Sequence, residues 1–314
     1  MACSVTKDPA EIKVIAGETV SESEFRWVVP ITIDVNESSE AHCTGTVISS
    51  DSVLTAAHCI VGNVSVFYEG RRFNPKQVIM HPEFLNATSL QSKKMNDVAI
   101  MKFDGDVFAQ YPLQWEHTPE ITSNEISFFG YGHLSYENTV NVWVFLASYQ
   151  NGEVVDINED GEISSLDMVS QYILNPKSTE GDGGLRQGYN RIESRSDSLM
   201  TVRGSIGPSH SRHTSSAAPG DSGGPVISRT TSELIGIVQG GSLITEDIDL
   251  ETCRFIQLIE KNAYQGIFPD KKPKYENYSW YHCPDIRIKE KESYFLDLTS
   301  PRIQKFIAGQ LHSL

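Results

Sequence analysis

No apolar run in this sequence approaches the roughly 18 residues that a membrane-spanning helix needs, so a helix-spanning membrane protein is excluded. The amino terminus also lacks the apolar core of a signal peptide, and a secreted protein of this sequence is therefore expected to have lost its leader. Basic residues are scarce. With 26 Lys and Arg against 41 Asp and Glu, the formal charge is -15, which argues against nucleic acid as a partner because such affinity rests on neutralising phosphates. Apolar residues at 39% and charged residues at 21% exclude a wholly disordered chain. A length of 314 residues accommodates two modest β domains or one large α/β domain.

Short apolar runs rich in Val, Ile and Phe are what the sequence does contain. They fall at Trp27 to Ile33, Thr46 to Ile48, Val64 to Tyr68, Val98 to Phe103, Ile126 to Phe129, Val142 to Ala147, Pro225 to Ile227 and Leu234 to Val238. Polar segments with Gly, Pro, Asn or Asp separate them, a spacing that favours an all-β barrel or sandwich. Only Ser300 to Leu314 reads as helix, with Ile303, Phe306, Ile307 and Leu311 at helical spacing behind a Ser-Pro start. The polar stretch Pro112 to Asn124 is the candidate interdomain connection.

Cysteine is sparse and odd in number, at five. Cys43 and Cys59 bracket a strand, turn and strand, so their ends can be bridged, which implies an oxidising compartment. Cys253 and Cys283 offer a second bridge and leave Cys3 unpaired; free buried thiols are the alternative for all of them.

Three segments carry the chemistry. Gly220-Asp221-Ser222-Gly223-Gly224-Pro225 places a serine on a tight turn, with the N–H groups of Gly220 and Ser222 able to face one point. In Thr55-Ala56-Ala57-His58-Cys59, small residues beside a histidine leave its ring approachable, and Asn96-Asp97-Val98-Ala99-Ile100 opens an apolar strand with an aspartate. Taken singly, these read as a Gly-rich hairpin, a core histidine and a strand-start turn. Together they supply the nucleophile, base, orienting carboxylate and oxyanion donors that serine acyl transfer needs.

In the order TAAHC, NDVAI and GDSGGP, the three blocks resemble the signatures of the chymotrypsin and trypsin family. The resemblance implies two six-stranded antiparallel β-barrels with a C-terminal helix and a catalytic triad of His58, Asp97 and Ser222 at the cleft between them. It also implies an oxyanion hole from the amides of Gly220 and Ser222, and it matches Cys43–Cys59 to the family's first-barrel disulfide. Val14-Ile15-Ala16-Gly17, with Trp27 at the family's spacing, resembles a mature amino terminus. Cleavage after Lys13 would then free the Val14 amine to pair with Asp221. Ser216 falls at the pocket base, with Gly241 and Ser293 at the pocket walls, which suggests a large apolar or aromatic residue before the scissile bond.

The sequence departs from the family in several places. Val238-Gln239-Gly240-Gly241 replaces the usual Val-Ser-Trp-Gly, and Ala218 stands where a pocket disulfide is usual. The expected layout is a propeptide over 1–13, an N-terminal barrel over 14–120 and a C-terminal barrel over 121–314, with insertions at about 133–184 and 243–292. Within the first insertion, Asp156, Asn158, Asp160, Ser164 and Asp167, with the Glu162 carbonyl, resemble an EF-hand or dockerin calcium loop, and a helix Ser165 to Leu174 is expected after it. An acidic surface loop is the alternative.

The resulting expectation is a zymogen-derived serine endopeptidase, secreted, extracellular or periplasmic. It would need no cofactor for catalysis, apart from a structural calcium. Its partners would be a protein or peptide substrate and an activating protease, with membrane contact only if Cys3 is lipidated. A non-catalytic binding protein on the same scaffold and an esterase are the other readings.

Overall fold

The computed structural model describes residues 14–36, 39–109, 113, 123–133, 135–136, 139–150, 153–155, 169–175, 178–179, 183–206, 214–245, 254–258 and 278–311. They divide into two compact units, one within 1–136, 178–244 and 290–314, the other within 137–177 and 245–289.

The first unit holds a seven-stranded antiparallel sheet in the order Arg71–Phe73, Asn63–Tyr68, Val28–Asn36, Ser39–Ser49, Ser52–Thr55, Ala99–Lys102, Gln77–Met80. Each strand contains one of the apolar runs or lies beside one. Several extend past their run, because polar residues such as Glu40 and His42 keep pairing with Asp34 and Thr32 where burial no longer demands apolar side chains. Seven strands stand here instead of six because the short strand Arg71–Phe73 adds to the edge of Asn63–Tyr68.

A second antiparallel sheet of twelve strands supplies the rest of this unit. Glu18–Thr19, Arg186–Arg191, Glu125–Gly130, Pro225–Ser228 and Leu234–Thr245 follow one another in it, and Leu199–Gly204 pairs with Lys291 to Leu296 of the long strand Tyr278–Asp297. Ser194–Ser196 pairs with Leu199–Gly204 in the same unit, and the other strands belong to the second unit, where Thr139–Gln150 pairs with Glu153–Val155, Val169–Asn175 and the start of Tyr278–Asp297, which also pairs with Arg254–Leu258. Strands from the two expected insertions thus raise the count beyond a six-stranded barrel. Val169–Asn175 is strand where a helix was expected; in register with Thr139–Gln150, its Val169, Tyr172 and Ile173 suit a pleated pairing better than a helix.

One apolar core joins both sheets of the first unit. Val28, Leu54 and Ile100 from the first sheet meet Phe129, Ile227 and Leu296 from the second. The C-terminal helix Pro301–Leu311 seals that core with Ile303 and Ile307, both fully buried, and begins on a proline whose missing N–H costs nothing at that position. The described residues are therefore all-β apart from short helical turns and this helix.

Candidate active site

His58 sits in a single 3-10 turn, Ala57–Cys59, between fully buried Ala56 and Cys59. Cys59 is bridged to Cys43, with Cα atoms 6.2 Å apart, so the strand-turn-strand between them is closed as its sequence suggested. Asp97 holds the histidine twice: Oδ1 accepts from the His58 backbone N–H at 2.9 Å, and Oδ2 lies 2.7 Å from ring Nδ1. Asp97 is buried, while the His58 side chain is 41% exposed. With Nδ1 occupied, the other ring nitrogen is the one left for a reactant.

Ser222 lies on the turn before Pro225–Ser228. Gly220 has φ of +96°, which L side chains rarely adopt, and a Cβ on Gly223 would lie 2.1 Å from Thr55 Oγ1. The sequence is glycine at these points because the turn must be both sharp and pressed against Thr44 and Thr55. Thr44 N–H donates to the Ser222 carbonyl at 2.8 Å and Thr44 Oγ1 to the Gly220 carbonyl at 2.8 Å. Ser222 Oγ donates to the Gln239 carbonyl at 3.1 Å. His58, Asp97, Gln239 and Gly241 line one cleft of about 410 Å³, and Gln239 is the residue whose backbone carbonyl accepts from Ser222 Oγ.

Asp221 is fully buried and points inward. Its Oδ1 accepts from Gly132 N–H at 2.8 Å and its Oδ2 from Ala218 N–H at 2.7 Å. Burial pushes its carboxyl from 3.8 up to about 7, against the opposing pull of those two N–H groups and of the Lys291 charge. Val14 and Ile15 are also fully buried, Ser216 N–H donates to the Ile15 carbonyl at 3.0 Å, and Ser215 Oγ to that of Ala16 at 2.9 Å. Val14 carries φ of +43°, an outlier for a β-branched residue.

Of the three residues expected to form the pocket, Gly241 lines the cleft, while Ser216 and Ser293 are fully buried. Ser293 Oγ accepts from Ala217 N–H at 3.0 Å, next to Ser216, and Gly241 packs within 3.2 Å of the Ser293 Cα by its missing Cβ. Sequence reasoning missed Lys291 in this group, having placed it at the end of an insertion. The signal was alternation: Lys291, Ser293 and Phe295 are buried on one face of a strand whose residues between them are part-exposed. It also missed Gly132 as a donor to Asp221. Gln239, by contrast, was noted only as a departure; its side chain donates to the Lys94 carbonyl and its backbone accepts from Ser222.

Lys13, Cys3, Cys253 and the calcium-loop residues Asp156, Asn158, Asp160, Glu162, Ser164 and Asp167 lie outside the described residues. Cys283 lies opposite Val142 in the second unit.

Residues 43–237, more than half of the chain, match the trypsin-like peptidase domain. A vitellin-degrading protease of Bombyx mori is 27% identical over 150 residues, 42% of this chain and 53% of that protein. Coagulation factor IX of Cavia porcellus is 27% identical over 104 residues, 29% of this chain and 34% of that protein. The alignments thus span about half or less of these relatives. Among solved structures, neuropsin, a serine protease expressed in the limbic system of mouse brain, superposes with a TM-score of 0.53 over 94% of this chain and 98% of its own, at 14% identity, a likeness of fold.

Proposed function

Since the chain belongs to the trypsin-like peptidase domain family, we propose that it is a serine endopeptidase working through an acyl-enzyme. The observation that carries this reading is the His58–Asp97 pair at 2.7 Å, lining the same cleft as the Gln239 to which the Ser222 hydroxyl donates. Ser222 Oγ would turn from the Gln239 carbonyl toward His58, lose its proton to the free ring nitrogen and attack the substrate carbonyl. Asp97 fixes the ring tautomer, and the amides of Gly220 and Ser222 receive the oxyanion. His58 then returns the proton to the leaving amine, and water repeats the cycle on the acyl-enzyme.

Activation by cleavage after Lys13 has support in two features. The first is the raised carboxyl of Asp221, a buried group that a nearby ammonium would stabilise in its charged form. The second is Val14, whose φ exists only while Lys13 is attached; cleavage removes that torsion and a strain of about 1–3 kcal/mol. Val14 and Ile15 are already buried and the Ile15 carbonyl already accepts from Ser216 N–H, so cleavage would free an amine on a segment that lies against the pocket loop.

The disulfide favours an oxidising compartment, secreted or periplasmic, and no helix among the described residues is long and apolar enough to cross a membrane. Ser216, Gly241 and Ser293 support an apolar or aromatic residue before the scissile bond.

Labelling with a fluorophosphonate before and after cleavage at Lys13, with Ser222→Ala as control, tests the proposal. Labelling of Ser222 only after cleavage is the expected result. Absence of labelling in both forms would leave a binding protein on a protease scaffold, and labelling with ester but no peptide turnover would leave an esterase.

A further inference from the structure

Two lysines stand on the wall of the cleft that holds His58. Lys93 and Lys94 end the short helix Leu90–Lys94 and line that cleft together with Phe84, Tyr294 and the strand residues Gln239 to Ser242. In a chain of charge -15 this is a local excess of the scarce sign. Lys93 is exposed and Lys94 half-buried, and among the described residues neither forms an ion pair. The carboxylates on the elements around them are engaged elsewhere: Asp97 with His58, Glu83 with Arg302, and Glu292 with Tyr294 and Arg203.

The two places where the sequence leaves the family's Val-Ser-Trp-Gly pattern both act on this wall. The Gln239 side-chain amide donates to the Lys94 carbonyl and so ties the end of the helix to the cleft strand, a reach that a serine lacks. A Cβ on Gly240 would meet nothing within 4 Å, so glycine in place of tryptophan leaves open space beside the lysines. Lys94 Nζ lies 4.2 Å above the Tyr294 ring and Lys93 Nζ 6.0 Å from the Phe84 ring. Such rings hold an ammonium near the cleft and leave its N–H donors for an arriving anion.

The distance from the nucleophile sets which substrate residue would arrive there. The Gln239 carbonyl is 3.1 Å from Ser222 Oγ. Each strand residue advances about 3.3 Å, which puts Ser242 about 10 Å farther on, the length of three extended residues.

We propose that Lys93 and Lys94 form a subsite for an acidic side chain two to four residues before the scissile bond, so that the enzyme selects acidic segments of its protein substrates. The proposal rests on the endopeptidase reading above and names its substrate class. The amino-terminal half of the substrate, which stays bonded to Ser222 in the acyl-enzyme, lies along Gln239 to Ser242 and carries its carboxylate to the two ammonium groups. A basic side chain there would meet like charges, and a neutral one would gain only the contact with Phe84 and Tyr294.

The test is kcat/KM of the Lys13-cleaved protein on fluorogenic peptides carrying Glu or Gln at the second, third or fourth position before the scissile bond, in one series with Phe and another with Lys at the bond itself. At low salt Glu should exceed Gln about five- to tenfold at one of these positions, mainly through KM, and the ratio should shrink at about 0.5 M salt because partly exposed charges are screened. Lys93→Gln with Lys94→Gln should bring the two peptides level, and Lys93→Glu with Lys94→Glu should invert the ratio. Equal wild-type rates for Glu and Gln, an acid effect confined to positions after the bond, or a Glu preference that survives both double variants would overturn the proposal. Fluorophosphonate labelling of the same samples separates the two failures. Labelled, peptide-cleaving enzyme without acid preference sinks this inference alone, whereas unlabelled enzyme, or labelled enzyme that cleaves neither series, sinks the endopeptidase reading. Lys93→Glu alone, at an exposed position, should still at least halve the ratio and keeps the outcome decisive if the double variants do not fold.

Discussion

His58 is held by bonds that close within its own sheet, whereas Ser222 rides on a turn shaped by residues from several distant segments. On the first side, one disulfide and one carboxylate with two bonds hold His58 between buried Ala57 and Cys59. On the second, Thr44, Gly132, Val238 and Gln239 each contribute a hydrogen bond to residues 220–224, and a fully buried carboxylate sits at the centre. On the proposed reading, the base is built with the sheet, while the nucleophile and its oxyanion donors would depend on the charge state of one buried group. A zymogen needs that division, because only a conditional part can be switched.

Breaking the self-contained side should have the larger effect. Asp97→Asn would keep the shape of the turn but leave the wrong tautomer on His58, and kcat of the cleaved protein should fall about 10⁴-fold. Fluorophosphonate labelling should slow in parallel, with little change in KM. A fall of less than tenfold would mean that His58 does not depend on Asp97, and the comparison would lose its first half.

The conditional side should announce itself through pH. In the uncleaved chain the Asp221 carboxyl lies near 7 when folded, against 3.8 as the ordinary value, so the folded form binds the extra proton in between. A raised folded value contributes stability that is complete below about pH 4 and is lost as pH rises toward 7. Uncleaved Ser222→Ala protein should therefore lose stability to denaturant across that window more steeply than the cleaved form, in which an ammonium at Val14 would favour the charged carboxylate. Lys291 works at the other end: its value falls from 10.5 to about 8, so its contribution is present above 10.5 and lost as pH falls through 8. Equal slopes for cleaved and uncleaved protein between pH 4 and 7 would show that Val14 brings no charge to Asp221.

The same division explains what was legible in the sequence. Contiguous blocks such as Ala56-Ala57-His58-Cys59 and Gly220-Asp221-Ser222-Gly223 exposed the candidate residues, because small residues beside the histidine and glycines around the serine are a local pattern, even where distant segments hold the turn. The strands of the first sheet were visible for a similar reason, since Val64, Val66, Tyr68 and Val98 to Met101 are apolar and buried. Lys291 was not visible, because its meaning depends on pairing with Gly204 and passing Gly241, residues 87 and 50 positions away in the sequence. Nor was the pairing of Thr139–Gln150 with Tyr278–Asp297, which unites strands from two separate insertions. Backbone register between distant segments leaves no local pattern to read.

The smallest effect separates stability from positioning within the self-contained side. Replacing Cys43 and Cys59 together by alanine reopens a span of 16 residues and should cost about 3 kcal/mol of unfolding free energy. Activity of the surviving folded protein at low temperature should nevertheless stay within a few-fold of wild type, because the two bonds from Asp97 and the buried Ala56 and Ala57 remain to hold the His58 turn. Denaturant unfolding and kcat measured on the same preparation give both quantities. The Cys59 sulfur also lies 3.7 Å from the Ser222 carbonyl, a point where the bridge reaches the other half of the site. If kcat falls by about 100-fold while stability falls as expected, that contact aligns the nucleophile, and the two halves are coupled through the disulfide instead of standing apart.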